Sequence, residues 1–254
     1  MSTMTISNFK HWLRNHPNPK MREIFVILKK VRNFEFPTPK VYNKVMHFSI
    51  KAVTSLVNEL LRVLIYTPAF KGRLAQYGKQ LYLYGGIPFV SGSLSISIGN
   101  QCRISGHTTF SGRSCSYNPQ LIVGDNVDIG WQNTIAVGRK VILGDNVRLA
   151  GKVYLFGYSG HPLDAKQRAE GAPDEESRIG DIHLEKDVWL ASNVIVQSGV
   201  TIGQGTIVAA GSVVTKSLPP FVLAGGSPAK VIRSIAPDQN KESTEARYTK
   251  EGAQ

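Results

Sequence analysis

The stretch LEKDVWLASNVIVQSGVTIGQGTIVAAGSVV, residues 184–214, decides the fold. An aliphatic residue returns at every sixth position: Leu184, Leu190, Val196, Ile202, Val208 and Val214. Several of these are followed by a small residue, as in Leu190-Ala191, Ile202-Gly203 and Val208-Ala209. A period of six fits neither the helical stripe nor the alternation of a strand. It is the repeat of a hexapeptide β-helix, in which each hexad supplies one short strand and one corner. Three hexads close a triangular coil of roughly eighteen residues. The recurring side chain points inward and stacks on its equivalents in the coils above and below. One coil alone cannot bury its apolar face, so several must stack.

The same period extends upstream in shorter series. These are Ile98, Ile104 and Phe110; Val123, Ile129 and Ile135; and Val137, Leu143, Leu149 and Leu155. From Ile98 to Val214 there is room for roughly five or six coils. Between Leu155 and Ile182 the pattern vanishes. The sequence GYSGHPLD, residues 157–164, opens a polar stretch that runs to Gly180. A regular solenoid accommodates such an insertion as a projecting loop, expected over 157–181, and long loops on rigid scaffolds carry function.

Helical periodicity replaces the hexads ahead of Gly85. Met46, Ile50, Val53, Val57, Leu60 and Leu64 form one stripe of a helix expected over Asn43 to Tyr66. A shorter helix is expected over Met21 to Arg32, with Pro37-Thr38-Pro39 between the two. Three segments follow: a basic, mainly helical extension over 1–84, a β-helix over 85–235 and a polar tail over 236–254.

The formal net charge of +12 on 254 residues is unevenly placed. Residues 1–80 hold 14 Lys/Arg against 3 Asp/Glu, and the remainder holds 16 against 15. A basic segment attracts polyanions. No nucleic-acid recognition motif accompanies it, so no nucleic-acid partner is expected. The apolar run near Val53 to Phe70 is interrupted by Glu59 and Arg62, and no apolar leader precedes it. A cytoplasmic protein is expected, with peripheral contact at the inner face of a membrane through the amphipathic N-terminal segment. The two cysteines, Cys102 and Cys115, form neither a disulfide framework nor a metal-ligand spacing. No metal is expected.

Residues 187–233, DVWLASNVIVQSGVTIGQGTIVAAGSVVTKSLPPFVLAGGSPAKVIR, closely resemble the C-terminal half of hexapeptide-repeat acyltransferases. Residues 144–171, GDNVRLAGKVYLFGYSGHPLDAKQRAEG, resemble the segment that carries their catalytic histidine. The resemblance is nearest to the sugar O-acetyltransferase branch, with the maltose, galactoside and polysaccharide acetyltransferases, and covers about residues 85–233. It implies a left-handed parallel β-helix, mainly β in class, with the α-helical N-terminal extension outside the match. It also implies a homotrimer with three active sites at the subunit interfaces, acetyl-CoA as donor and a sugar or glycan hydroxyl as acceptor. His161 falls on the general base. Thr215, Lys216, Lys230 and Arg233 match positions that contact the coenzyme A tail, and Ser192 and Ala210 match positions lining its pantetheine. Trp189 matches an aromatic wall of the acceptor site, and Asn133 a contact to the acceptor. Ala191 stands where the family has Gly after the Trp189-Leu190 pair.

The chemistry suits these residue types. A thioester is already activated, so a hydroxyl needs only a base near neutral pKa and stabilisation of the oxyanion. The same base would serve an amino-sugar acceptor, which leaves N-acyl transfer as an alternative. The other alternative is a non-catalytic trimeric scaffold that keeps the β-helix and loses the reaction. His183, at the return of the loop, and His107, within a hexad, are weaker candidates for chemistry.

Overall fold

A computed structural model describes residues 6–235; the polar tail expected over 236–254 lies outside the described residues. The chain divides after Thr54 into two compact units.

The N-terminal residues are helical, as their periodicity requires. Helix α1 spans Ile6–Arg14 and α2 spans Pro19–Arg32. Asn18 caps α2 by accepting a bond from Lys20 N at 3.0 Å, and Pro19 fits its first turn. Helix α3 spans Lys40–Leu61, continues through one π-helical stretch at Arg62–Tyr66, and ends in α4, Thr67–Lys71. Phe70 of α4 is buried in the β-helix core, its ring 6.4 Å from that of Phe110. Glu59 pairs with Arg62 at 2.6 Å and accepts from the Tyr82 hydroxyl at 3.2 Å, which ties the end of α3 to the first coil.

The strands follow in coils of three. The first coil is β1 (Gln76–Tyr77), β2 (Tyr82–Tyr84) and β3 (Phe89–Ser91). The second is β4 (Ser95–Ile98), β5 (Arg103–Ser105) and β6 (Thr109–Gly112). The third is β7 (Gln120–Val123), β8 (Asp128–Ile129) and β9 (Thr134–Val137). The fourth is β10 (Lys140–Leu143), β11 (Arg148–Leu149) and β12 (Tyr154–Phe156). After the projecting loop, with its short helix α5 at Ala165–Ala169, come β13 (Ile182–Leu184), β14 (Trp189–Leu190) and β15 (Ile195–Val196). The last complete coil is β16 (Thr201–Ile202), β17 (Ile207–Val208) and β18 (Val213–Val214). Strand β19 (Val222–Gly226) extends the second face, and β20 (Ala229–Ser234) folds back antiparallel on it.

The three parallel sheets form the three faces of the prism: β1-β4-β7-β10-β13-β16, β2-β5-β8-β11-β14-β17-β19 and β3-β6-β9-β12-β15-β18. This is the β-helix that the six-residue period requires. On the second face Leu83, Ile104, Ile129, Leu149, Leu190, Val208 and Ala224 are in register and buried. On the third, Phe110, Ile135, Leu155, Val196 and Val214 stack likewise. At the corner between the first and second faces, Asn126, Asn146 and Asp187 adopt positive φ, which short polar side chains tolerate. Their side chains bond from coil to coil, Asn126 to Asn146 at 2.8 Å and Asn146 to Asp187 at 2.7 Å.

The first coil begins at Gln76, ahead of the change at Gly85 in the sequence pattern. Its strand β1 is exposed, and its inward positions are Leu83 and Val90, too irregularly spaced to show a hexad period.

From Ile98 onward, the departures from the hexad rule leave the prism at one edge, between the third and first faces. Phe110 to Val123 spans thirteen positions rather than six, which makes room for residues 113–119 between β6 and β7. Ile135 to Leu143 spans eight, and Leu155 to Leu184 includes the projecting loop. Stacking therefore places residues 113–119 and the loop on the same side.

Candidate active site

The loop leaves after β12 and returns at β13. Its neck is closed by Gly180 N–H donating to Gly157 O at 3.1 Å. A side chain at Gly180 would collide with the backbone of Gly199 in the next coil, so the neck requires glycine there. Arg139 donates to Ile179 O at 3.1 Å, and Ser198 Oγ donates to Arg178 O at 3.1 Å. These bonds fasten the returning limb to the prism.

The outgoing limb is held by a buried ion pair. Arg113 Nε lies 2.7 Å from Asp174 Oδ1, and both side chains are 4% exposed. A second guanidinium nitrogen donates to Asp174 O at 2.9 Å, and the third reaches Glu176 at 2.8 Å. The other carboxylate oxygen of Asp174 accepts from Gly160 N at 3.3 Å. Burial pushes the Asp174 carboxyl up, but the hydrogen bonds from Arg113 and Gly160 and the Arg113 charge outweigh it. The net pKa lies below the ordinary Asp value.

Gly160 and Pro162 bracket His161. Gly160 has φ +81 and is held by Asp174, whereas Pro162 is buried and its carbonyl accepts from Arg168 at 3.0 Å. Ser159 Oγ donates to His161 O at 3.1 Å. Asp164 caps α5 through a bond from Gln167 N at 2.8 Å. The His161 backbone is thus fixed on both sides while its side chain stays exposed. A group so placed can meet a substrate without moving the chain.

Beside the loop lies a cavity of about 540 Å³. Phe156, Ile195 and Val213 supply apolar surface from the third face, and Tyr158, Ser159 and Arg178 line it from the loop.

Four of the expected coenzyme A residues, Ser192, Ala210, Thr215 and Lys216, border this same face. Ser192 and Ala210 are exposed at the corner between the second and third faces, in successive coils joined by Gly211 N donating to Ser192 O at 2.9 Å. Thr215 and Lys216 are exposed just after β18, at the edge from which the loop projects. Lys230 and Arg233 are exposed on β20 of the second face. Trp189 is 47% exposed on that face, in a register line that runs through Ile207 and Leu223 to Arg233. Within one chain the second face lies opposite the edge that carries His161, so the fold separates Trp189 from His161. His183 is on the first face between Ile142 and Thr201, and His107 stacks on Trp131 at 3.9 Å.

Asn133 departs from the expectation of an acceptor contact. It is 1% exposed, and its side-chain oxygen accepts from Val153 N at 2.7 Å. The side chain turns into a corner of the β-helix and joins the third coil to the fourth. Arg113, Asp174 and the Phe156–Ile195–Val213 surface were not legible as site residues. Arg113 and Asp174 are distant in sequence, and only stacking of two insertions at one edge brings them together. Among the described residues no group of three or more potential metal ligands occurs.

Comparison with known proteins agrees with this architecture. Residues 181–216 match the bacterial transferase hexapeptide model of six repeats. The chain is 38% identical over 137 residues to a Saccharomyces cerevisiae protein named for acetyl transfer, covering 54% of this chain and 65% of the relative. It is 38% identical over 120 residues to the galactoside O-acetyltransferase of Escherichia coli, covering 47% and 57%. The chain thus spans less than two thirds of the length of these curated relatives. The N-acyltransferase AntD from Bacillus cereus, solved with dTDP and 3-hydroxybutyryl-CoA, superposes with a TM-score of 0.54 at 18% identity, over 74% of this chain and 96% of that one. A variant of that enzyme, solved with dTDP-4-amino-4,6-dideoxyglucose and coenzyme A, gives 0.55 at 21%, over 73% and 96%. At such identities the likeness is one of fold.

Proposed function

We propose that this chain, whose residues 181–216 match the bacterial transferase hexapeptide model, is a coenzyme-A-dependent acyltransferase. It moves an acetyl group from acetyl-CoA to a sugar hydroxyl, with His161 as the general base. The observation that carries this reading is the buried Arg113–Asp174 pair, which fixes the loop backbone next to an exposed His161. A lone surface histidine needs no such support, whereas a base must be held in place to act.

The step follows from this placement. The acceptor oxygen attacks the thioester carbonyl while His161 takes its proton. The tetrahedral intermediate then expels the coenzyme A thiolate, which receives that proton from His161. The C–S bond is replaced by a C–O bond, and the products are the acetylated sugar and free coenzyme A. The groove along Phe156, Ile195 and Val213 suits the pantetheine arm, with Ser192 and Ala210 on one border. Thr215, Lys216, Lys230 and Arg233 supply donors and charge for the phosphates. Because Trp189 and His161 lie apart in one chain, the acceptor wall and the base meet across the interface of a homotrimer. The relation to a galactoside O-acetyltransferase supports a sugar acceptor, in a surface polysaccharide or its precursor.

Release of free thiol from acetyl-CoA tests the proposal, using simple sugars, envelope glycans and amino sugars as acceptors. Acceptor-dependent thiol release is expected with the hydroxyl acceptors. Release with amino sugars alone would assign N-acylation. No binding of acetyl-CoA would leave a scaffold.

A further inference from the structure

The N-terminal unit carries a second concave surface, independent of the candidate active site. A cavity of about 600 Å³ runs between α1 and α2. Phe9, Leu13, Phe25 and Leu28 are its apolar lining, and Lys10, Arg14, Lys29 and Arg32 also line it. No carboxylate takes part in the lining. Over residues 1–54 there are ten Lys/Arg against only Glu23 and Glu35.

The rest of this unit has the same character. Helix α2 buries none of its residues, and Ile24, Ile27, Leu28 and Val31 are 42–68% exposed. In the part of α3 that belongs to this unit, Val41, Val45, Phe48 and Val53 are all more than half exposed, and Lys40, Lys44 and Lys51 lie on the opposite arc at helical spacing. Trp12 is 43% exposed and stacks on Phe9 at 6.0 Å between ring centres. No helix of the described residues is long and apolar enough to cross a membrane.

We propose that the α1–α2 cleft and the apolar faces beside it dock on an anionic lipid bilayer surface, lying in the interface rather than spanning it. Four cations at an apolar cleft match a layer whose acyl chains are apolar and whose headgroups are negative. Helices with a wide apolar face and a basic polar face partition into this zone, and exposed Trp and Phe favour it. Charge decides between this occupant and a second copy of the chain. Juxtaposing two such clefts would bring like charges together, whereas each Lys or Arg gains attraction near an anionic leaflet. Docking would hold the β-helix at the membrane, where lipid-linked acceptors are presented.

The test is flotation of the full chain with phosphatidylcholine vesicles, with and without phosphatidylglycerol. Binding is expected only with phosphatidylglycerol, falling steeply as salt is raised. The variant Lys10→Gln/Arg14→Gln/Lys29→Gln/Arg32→Gln should partition about a hundred-fold less or weaker still. In a Trp131→Phe/Trp189→Phe background, Trp12 emission should shift to the blue on binding, and Phe9→Ser/Leu28→Ser should abolish the shift. If the charge variant loses its helices, the salt titration of the unaltered chain decides. No binding, equal binding to neutral vesicles, or binding indifferent to salt would overturn the proposal. So would a drop in oligomeric mass of Phe9→Ser/Leu28→Ser without any change in flotation, which would assign the cleft to a second copy. The His161→Ala chain should float like the unaltered one, so this result stands apart from the acyltransferase reading.

Discussion

The Asp174 carboxylate bridges Arg113, at 2.7 Å from its Nε, and the backbone N–H of Gly160 at 3.3 Å. A residue between β6 and β7 thereby sets the position of a loop two coils further along. Arg113 is a positioning residue in this account: it reaches His161 only through Asp174 and Gly160.

Removing the carboxylate charge with Asp174→Asn leaves the buried Arg113 guanidinium with only the Glu176 carboxylate, at 2.8 Å, to offset its charge. Leaving a buried charge wholly uncompensated costs about 3–5 kcal/mol, and the remaining Glu176 pair keeps the loss below that range. Part of that falls on the loop alone, because the rest of the β-helix core is untouched. We expect kcat to fall about ten-fold to a hundred-fold with little change in KM for acetyl-CoA. Steady-state kinetics check this, and a large rise in KM with unchanged kcat would place the pair in donor binding instead. Asp174→Glu should recover part of the loss.

The pH dependence of the clamp follows from the lowered Asp174 pKa. A carboxyl with a folded-state pKa below its unfolded value adds stability that is complete above the ordinary Asp value of about 3.9. That stability is lost as pH falls through the lowered value. The difference in thermal midpoint between the unaltered chain and Asp174→Asn should therefore be constant from about pH 8 to about pH 5 and shrink below about pH 4. A difference that vanishes near neutrality would contradict the clamp.

Leu190 is fully buried, in register between Leu149 and Val208. Leu190→Ala opens a cavity in a stack that cannot collapse without shifting whole coils. A loss of about 2–5 kcal/mol is expected in chemical denaturation. The exposed Trp189→Ala beside it should leave stability nearly unchanged while impairing acceptor use.

Arg233 is exposed on β20, and the proposal that it binds coenzyme A phosphates makes a separate prediction. Arg233→Ala should raise KM for acetyl-CoA about ten-fold with kcat retained, since a charge-assisted bond of this kind contributes about 1.5–3 kcal/mol. Calorimetric titration with coenzyme A would give the affinity directly.

The β-helix was legible because its core is local in sequence. Leu184, Leu190 and Val196 occupy three faces of one coil, and six-residue spacing alone records that. The loop with His161 was legible as a gap in the same record. What holds the loop was not, because Arg113 and Asp174 meet through two insertions that leave one edge of the prism, and spacing carries no such information. Asn133 misled for a related reason: a polar residue in a solenoid corner can serve the next coil, here Val153 N, as readily as a ligand. The first coil was hidden because its exposed strand Gln76–Tyr77 shows no inward aliphatic residue.

The central claim is that His161 is the base of an acyl transfer. Its most direct test is transfer of labelled acetyl from acetyl-CoA into sugars and envelope glycans, with the unaltered chain and His161→Ala side by side. The account predicts transfer by the unaltered chain and a fall of about a hundred-fold or more in the variant, with coenzyme A affinity and oligomeric mass preserved. Transfer by His161→Ala at the unaltered rate would contradict it.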